Sequence, residues 1–185
     1  MENKNASNLY IITGGPGAGK TSLLNQLSQY GVITASEEGR RIIKEQIIID
    51  SDGVPWKNKR LFADLMFEAS VKTYQKMRAI QVPGPVFFDR GILDTIGYLI
   101  TENIPVSEEM KKIAHEMKYH KNVFVLPPWK EIYENDPERK QTWNEAVQTF
   151  ETMRKVYTAY GYNIIEVPQG TIEQRALFLL DCIEH

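Results

Sequence analysis

Short apolar runs alternate along this chain with segments in which apolar residues recur every three or four positions. Consecutive apolar residues bounded by glycine or proline are typical of buried strands, and the helical spacing is typical of helices that pack against a sheet. The runs predict five strands, at about 8–13, 32–35, 86–89, 122–126 and 162–167. Helices are predicted between them, and the last helix is expected to turn Ile172, Ala176, Leu179 and Ile183 towards the core.

Alternating strands and helices predict an α/β fold of three layers, in which helices cover both faces of a five-stranded parallel sheet. The length of 185 residues favours a single domain over 1–185. Residues 1–7 are polar and are expected to form a flexible tail. Ligands are expected at the edge of the sheet where the parallel strands have their carboxyl ends.

The first predicted strand leads into a phosphate-binding motif, because its sequence matches the pattern G-x-x-x-x-G-K-[ST] of a P-loop. The motif consists of Gly14, Gly15, Pro16, Gly17, Ala18, Gly19, Lys20, Thr21 and Ser22. Glycines allow a tight turn, and the backbone N–H groups and the following helix attract a phosphate. Lys20 is predicted to contact the β- and γ-phosphates, Thr21 to bind Mg²⁺, and Ser22 to bond the α-phosphate. The strand and helix on either side favour nucleotide binding over a chance match.

Asp89 ends the apolar run 86–89, as a Walker B acid does, and is predicted to hold Mg²⁺ directly or through water. The adjacent Arg90 is a candidate for binding the substrate or a phosphate oxygen, because a guanidinium forks onto such groups. The alternative is that Asp89 caps the next helix and Arg90 is solvated. No glutamate follows Asp89, which favours transfer to a bound acceptor over hydrolysis.

Glu37 follows the second predicted strand and is a candidate catalytic and substrate-binding residue. Its carboxylate could accept a proton from a substrate hydroxyl or orient that hydroxyl, and Glu38 is the nearby competitor. The alternative is a carboxylate that only interacts with a helix dipole. Arg40, one helical turn later, could pair with Glu37 or contact the substrate.

The charged segment 127–142 follows the fourth strand and is predicted to form a lid. Phosphoryl transfer benefits from a cation that arrives when a lid closes, and Arg139 is the first candidate for this catalytic role, before Lys140. The alternative is a charge run that is simply solvated.

Composition restricts the expected partners and location. A formal net charge of −2 gives no global reason to expect nucleic acid or an anionic membrane as a partner. No apolar run approaches the roughly 20 residues that span a bilayer, and the polar residues 1–8 lack the apolar core of a secretory signal. A single cysteine, Cys182, fits a reducing compartment. A cytoplasmic protein is therefore expected.

Five stretches together resemble the small single-domain AAA-type ATPase/kinase-like P-loop family, related to the ribosylnicotinamide kinase domain of bacterial NAD regulators and to nucleoside kinases. They are 14–22, 37–40, 88–91, 126–129 and 167–168. The resemblance extends over nearly the whole chain and implies a P-loop kinase-like fold with a lid. It also implies MgATP or MgGTP as the nucleotide.

The resemblance suggests a role for each candidate. It implies Glu37 as the base or substrate-orienting acid, Asp89 near the metal, Arg90 near the acceptor and Arg139 as the lid arginine. It further implies that the loop containing Pro168 touches the nucleobase. With 185 residues, the additional helical domain of ring-forming AAA+ motors is not expected, and neither is a ring-forming motor.

Three functions follow as hypotheses. The leading one is a kinase that transfers the γ-phosphoryl group of MgATP to a hydroxyl of a small nucleoside-like metabolite. The second is a regulatory NTPase, or nucleotide switch, whose ATP-ordered lid recruits a protein partner. The third is a polynucleotide 5′-hydroxyl kinase that uses Lys57, Lys59 and Arg60 as phosphate contacts, which the acidic balance disfavours.

Overall fold

A parallel sheet forms the centre of the protein, in a computed structural model that describes residues 7–80, 83–133 and 142–184. Its strands are β1 (Leu9–Gly14), β2 (Ile33–Ala35), β3 (Val86–Asp89), β4 (Asn122–Leu126) and β5 (Asn163–Glu166). They lie in the order β2-β3-β1-β4-β5, and each neighbouring pair is parallel. The five-stranded parallel sheet predicted from the apolar runs is confirmed.

Helices connect the strands throughout the described chain. They are α1 (Lys20–Gln29), α2 (Glu38–Ile48), α3 (Lys59–Ile80), α4 (Ile92–Thr101), α5 (Glu108–Glu116), α6 (Trp143–Ala159) and α7 (Ile172–Glu184). Within the ranges that the structure describes, every helix is too short or too polar to span a bilayer.

The central strand β1 shows why the protein has three layers. Successive side chains of a strand point to opposite faces of its sheet. Leu9 and Ile11 accordingly pack into a core with α3, α4 and α6, whereas Tyr10 and Ile12 pack into a second core with α1 and α7. Both faces of the sheet are therefore covered, as the continuous apolar run predicts.

In the first turn of α7, the buried residue is not the one that the sequence pattern predicted. Ala176 and Leu179 are fully buried as expected, but Ile172 is 43% exposed and that part of the prediction is wrong. Ile172 is the first residue of the helix, and the buried stripe begins one turn later at Arg175, which is only 4% exposed. The inward position in this turn is thus occupied by a charged residue.

The strand order places one rim of the sheet at the centre of the molecule. From β1 the chain passes to β2 at one edge, and from β3 it later crosses β1 to reach β4 and β5. Ligands bind at the carboxyl ends of parallel strands where the order changes direction. The pairing of Ile12 with Asp89 and of Gly14 with Leu126 brings the ends of β1, β3 and β4 to this rim.

Candidate active site

The P-loop joins β1 to α1 in a conformation that depends on glycine. Gly14, Gly17 and Gly19 have φ angles of 138°, 69° and 82°, in a region that side chains disfavour. Gly15 is required for a different reason, because a Cβ there would lie 2.5 Å from the carbonyl oxygen of Ala146. The loop is therefore seated closely on α6.

Lys20 is the first residue of α1, and its side chain folds back over the loop that precedes it. Its Nζ donates hydrogen bonds to the carbonyl oxygens of Gly15, at 2.7 Å, and Gly14, at 3.2 Å. The residue is only 7% exposed. A cation is thus held in place at the amino end of a helix, where the helix dipole also favours an anion.

A small cavity lies beside α1 and brings the two predicted metal ligands to one place. Its volume is about 190 Å³, and its lining includes Thr21, Asn25, Ser36, Glu37, Arg40 and Asp89. Thr21 comes from α1 and Asp89 from the end of β3, so the sheet and the helix supply opposite walls.

Asp89 has one oxygen that suits a metal ion. Burial raises the pKa of this carboxyl, an effect opposed by the nearby charges of Lys20 and Arg90. Its Oδ1 is buried and has no hydrogen-bond partner among the described residues. A magnesium ion or its bound water would satisfy this oxygen, and magnesium prefers oxygen ligands. Thr21 and Asp89 therefore fit such an ion.

The metal would depend largely on ligands from outside the protein. In the described ranges, no group of three or more His, Cys, Asp or Glu side chains is arranged to hold a metal ion. Magnesium is commonly bound through one or two protein ligands together with water and substrate phosphates. The pair formed by Thr21 and Asp89 matches that sparse pattern.

A larger cavity of about 330 Å³ opens on the other side of Glu37. Apolar and aromatic side chains form much of its wall, including Trp56, Phe62, Met66 and Tyr98. The rings of Phe62 and Tyr98 meet edge to face with centroids 5.7 Å apart. The Tyr98 hydroxyl is buried and has no hydrogen-bond partner in the described part of the chain.

Glu37 stands at the junction of the two cavities. Ser36, Glu37 and Asp89 line both of them. Oε1 of Glu37 lies 3.3 Å from Nε of Arg90, and Oε2 lies 3.5 Å from Nε of Arg40. Glu37 therefore faces the P-loop side and the larger cavity at once, with its carboxylate oriented by two arginines.

Glu38, the competing carboxylate, is held differently. It accepts hydrogen bonds from the hydroxyl of Thr73 and from Arg41, whose Nη2 lies 2.6 Å from Oε2. It lines the larger cavity but not the smaller one. Glu38 therefore faces the larger cavity alone, whereas Glu37 faces both.

Arg90 is partly buried and connects the P-loop to Glu37. Its Nη1 donates to the carbonyl oxygen of Gly14 at 3.1 Å and to Asp94 Oδ1 at 3.2 Å. Burial alone would lower the pKa of Arg90, but Glu37, Asp94 and Asp89 together raise it above its usual value. The side chain is 17% exposed, so the alternative of a solvated Arg90 is wrong.

The backbone of Arg90 is strained. Its φ of 71° lies in the left-handed region, where a residue other than glycine costs about 1–3 kcal/mol. This turn directs the side chain back across the end of β1 to Gly14 and Glu37. The strained backbone conformation of Arg90 therefore places its guanidinium at the rim of the sheet.

Sequence reasoning missed Asp94, which organises the buried side of the site. Its Oδ2 accepts from the Gly91 N–H at 2.8 Å and from the Tyr157 hydroxyl at 2.7 Å. Its Oδ1 accepts from the Thr13 hydroxyl and from Arg90. A carboxylate in the first turn of α4 was the available signal. The N-cap residue of α4 is Gly91, and the side chain that accepts from its N–H is that of Asp94, not of Asp89.

We expect Asp94→Asn to reduce the free energy of unfolding by about 2–6 kcal/mol, because the amide NH2 replaces an oxygen that accepts from two donors, and each buried donor left unsatisfied costs about 1–3 kcal/mol. Urea denaturation would measure the loss. Tyr157→Phe is the matched control, since it removes a single hydrogen bond to Asp94 and should cost about 1 kcal/mol. Equal small losses in both variants would contradict the central role of Asp94.

Arg175 is a second buried residue that sequence reasoning missed. Its Nη2 donates to the Ala18 carbonyl oxygen at 3.1 Å, so α7 is tied directly to the P-loop. A Cβ built on Gly19 would lie 3.0 Å from its Nη1. A charged residue on the face of α7 that faces the core gave no sequence signal for a site.

The remaining candidates lie at the margins of this site. Pro168 is exposed in the connection between β5 and α7 and lines neither cavity. Arg139 and Lys140 lie outside the described residues, as does 134–141 as a whole. The described start of the predicted lid reaches the P-loop, because Ile132 Cδ1 would lie 3.5 Å from a Cβ on Gly19.

Residues 9–175 match the sequence pattern of a family described as an AAA domain. The chain belongs to this AAA-domain family. The match covers most of the chain and includes the P-loop, Glu37, Asp89 and Arg175. The family resemblance expected from the sequence is confirmed. Comparison with curated proteins gave no match.

Solved structures similar to this AAA-domain protein are P-loop kinases. NadR protein in complex with NR superposes with a TM-score of 0.70 at 18% identity, over 96% of this chain and 51% of NadR. Thymidylate kinase from Ehrlichia chaffeensis gives 0.63 at 13% identity, over 97% and 100% of the two chains. Deoxyadenosine kinase from M. mycoides with bound dATP gives 0.59 at 14%, over 96% and 99%. At these identities the similarity shows a shared P-loop kinase fold.

Proposed function

We propose that the protein is a kinase that transfers the γ-phosphoryl group of MgATP to a hydroxyl of a small nucleoside-like metabolite. The observation that carries the proposal is the wall shared by the two cavities. Ser36, Glu37 and Asp89 line both the small cavity beside the P-loop helix and the larger aromatic cavity. A donor on one side and an acceptor on the other would meet at this wall.

The proposed reaction is a direct displacement at the γ-phosphorus. The acceptor oxygen forms a bond to phosphorus while the bond to the oxygen bridging the β- and γ-phosphates breaks, and ADP leaves. Glu37 accepts the acceptor's proton or orients its hydroxyl, and Lys20 compensates charge on the phosphates. Magnesium, held by Thr21 and Asp89, would neutralise charge on the phosphate oxygens. Arg90 holds Glu37 in a fixed position relative to the P-loop, because it donates to both Glu37 and the Gly14 carbonyl oxygen.

The larger cavity supports a small aromatic acceptor. Its volume of about 330 Å³ lies within the range of small-molecule pockets. Trp56, Phe62 and Tyr98 offer ring faces and edges that suit a planar base. The similar folds of a deoxyadenosine kinase and a thymidylate kinase support the same class. A concave cavity of this size favours a kinase over a switch, and a metabolite over a polynucleotide.

The resemblance to nucleoside kinases supports two further assignments. We propose Arg139 as the cation that the lid brings to the phosphates, and Pro168 as a contact for the nucleobase. A cytoplasmic location is also part of the proposal, supported by the single cysteine of the sequence.

The test is ADP production from MgATP by the purified protein, alone and with pools of nucleosides, ribosyl-pyridines, sugars and 5′-hydroxyl oligonucleotides. Strong stimulation by one nucleoside-like pool, absent in Lys20→Ala, is the expected result. Slow turnover that no pool changes would overturn the kinase and favour a nucleotide switch. Stimulation by the oligonucleotides alone would instead favour the polynucleotide kinase.

We expect Tyr98→Phe to raise the KM for the acceptor about 3- to 10-fold, because the lost hydroxyl is a hydrogen-bonding group buried at the acceptor cavity. The affinity for MgATP should not change. Tyr74→Phe is the control, since its hydroxyl bonds the Lys118 carbonyl and Tyr74 lines neither cavity. An effect on MgATP affinity instead of acceptor KM would show that the larger cavity is not the acceptor site.

A further inference from the structure

The guanidinium of Arg175 is a buried charge without an anionic partner in the described ranges. The guanidinium contacts the P-loop backbone, and no carboxylate in those ranges contributes to its pKa, which burial lowers. Its Nε is buried and has no hydrogen-bond partner among the described residues. Only one hydrogen bond, from Nη2 to the Ala18 carbonyl, is formed there.

Packing alone does not account for an arginine at this position. Its neighbours on the same helix face, Ala176 and Leu179, fill the core with apolar side chains and are fully buried. Burying a charged group without a counter-ion is costly, and apolar residues of similar volume often serve stability better. A positive charge at such a site would be balanced if a bound ligand brought an anionic group to it.

The nearest built anion site is the P-loop itself. Arg175 contacts two consecutive residues of the loop, since Nη2 bonds the Ala18 carbonyl and Nη1 lies 3.0 Å from the Cβ position of Gly19. Gly19 immediately precedes Lys20 at the start of α1, where the backbone N–H groups point outwards. The guanidinium is thus held at the loop that would surround a nucleotide's phosphates.

We propose that Arg175 is a nucleotide-contacting residue, which gives the last helix a direct charged contact to the phosphate chain of a nucleotide bound in the P-loop. The proposal rests on the proposed nucleotide binding. The contact supplies a positive charge in addition to Lys20, and it couples the position of α7 to nucleotide occupancy. The competing explanation is a structural tie, in which the bond to the Ala18 carbonyl only anchors α7.

The test is calorimetric titration of the full chain with MgATP and MgADP, combined with thermal unfolding with and without each nucleotide. We expect Arg175→Gln to weaken the binding of both nucleotides about 10- to 100-fold, as for a lost charge-assisted hydrogen bond. Arg175→Lys keeps the charge and should restore most of the affinity. Arg154→Gln is the matched control, because Arg154 is a half-exposed arginine on α6 that lines neither cavity.

Thermal unfolding separates the two explanations. A nucleotide contact predicts that Arg175→Gln reduces the rise in Tm caused by nucleotide while the ligand-free Tm is kept, because an uncompensated charge has been removed. A structural tie predicts a lower ligand-free Tm with unchanged affinity, and that result would overturn the proposal. Arg175→Met, which keeps the aliphatic stem, is measured in parallel so that a poorly folded Gln variant does not decide the outcome.

The outcomes also separate this inference from the proposed function. Failure of the wild-type protein to bind MgATP or MgADP would overturn both. Normal binding by the wild type and equal binding by Arg175→Gln and Arg175→Met would overturn the role of Arg175 alone.

Discussion

Replacement of Lys20 by alanine is expected to reduce phosphoryl transfer about 10³-fold, as is typical when a charge-stabilising group is removed from a transition state. The ammonium is held over the P-loop by the carbonyl oxygens of Gly15 and Gly14. It is therefore positioned before the nucleotide arrives, and little reorganisation is needed to turn it onto the β- and γ-phosphates. Its removal takes away a positive charge that would stabilise both the bound nucleotide and the transition state.

Steady-state ADP production at saturating acceptor, together with the Kd for MgATP, would measure this effect. Lys44→Ala is the matched control, because Lys44 is an exposed lysine on α2 that lines neither cavity. Lys20 is buried, so thermal unfolding must first establish that the variant is folded. A folded Lys20→Ala protein with wild-type turnover would exclude the P-loop as the site of transfer.

The change Glu37→Gln is expected to lower kcat about 10²- to 10³-fold, within the range of general acid–base catalysis. The amide of glutamine cannot accept a proton. It also lacks the negative charge that lets Glu37 form ion pairs with Arg40 and Arg90. Arg90 keeps its bonds to Asp94 and to the Gly14 carbonyl, so the wall between the cavities should remain in place. The Kd for MgATP should change by no more than about 3-fold, because the phosphates are held elsewhere.

Rapid-mix measurement of a single turnover would separate the chemical step from product release. Glu45→Gln makes the same substitution on α2, the helix that begins directly after Glu37, but outside both cavities, and it should behave like the wild type. Glu38→Gln removes the competing carboxylate and should raise the acceptor KM more than it lowers kcat. The reverse pattern, with kcat lost in Glu38→Gln and kept in Glu37→Gln, would assign the catalytic carboxylate to Glu38.

The predictions for Lys20 and Glu37 test different parts of the proposed reaction: the nucleotide site and the acceptor hydroxyl. Loss of Lys20 should weaken nucleotide binding and transfer together, whereas loss of Glu37 should spare nucleotide binding. Glu37 lies on the wall between the cavities, and Lys20 is the first residue of α1, within the P-loop motif. A kinase should show this separation, and a switch without an acceptor should not.

The sequence by itself determined the sheet, the P-loop and the place of the two key acids. Phosphate binding needs consecutive backbone N–H groups, so the glycines and Lys20 must be neighbours in sequence. Strands and helices can be predicted for a similar reason, because the periodicity of apolar residues is visible within short stretches of the sequence. Asp89 and Glu37 could be located because Asp89 ends one strand and Glu37 follows another, and parallel strands end at one edge.

Only the tertiary structure showed the contacts of Asp94 and Arg175 and the composition of the aromatic cavity. The Thr13 hydroxyl that bonds Asp94 is 81 positions away in the chain, and the Ala18 carbonyl that accepts from Arg175 is 157 positions away. Helix periodicity indicates which face of α7 is inward, but it does not show that a guanidinium replaces an apolar residue there. Such contacts join separate elements, and their geometry follows from how those elements pack rather than from any spacing along the chain.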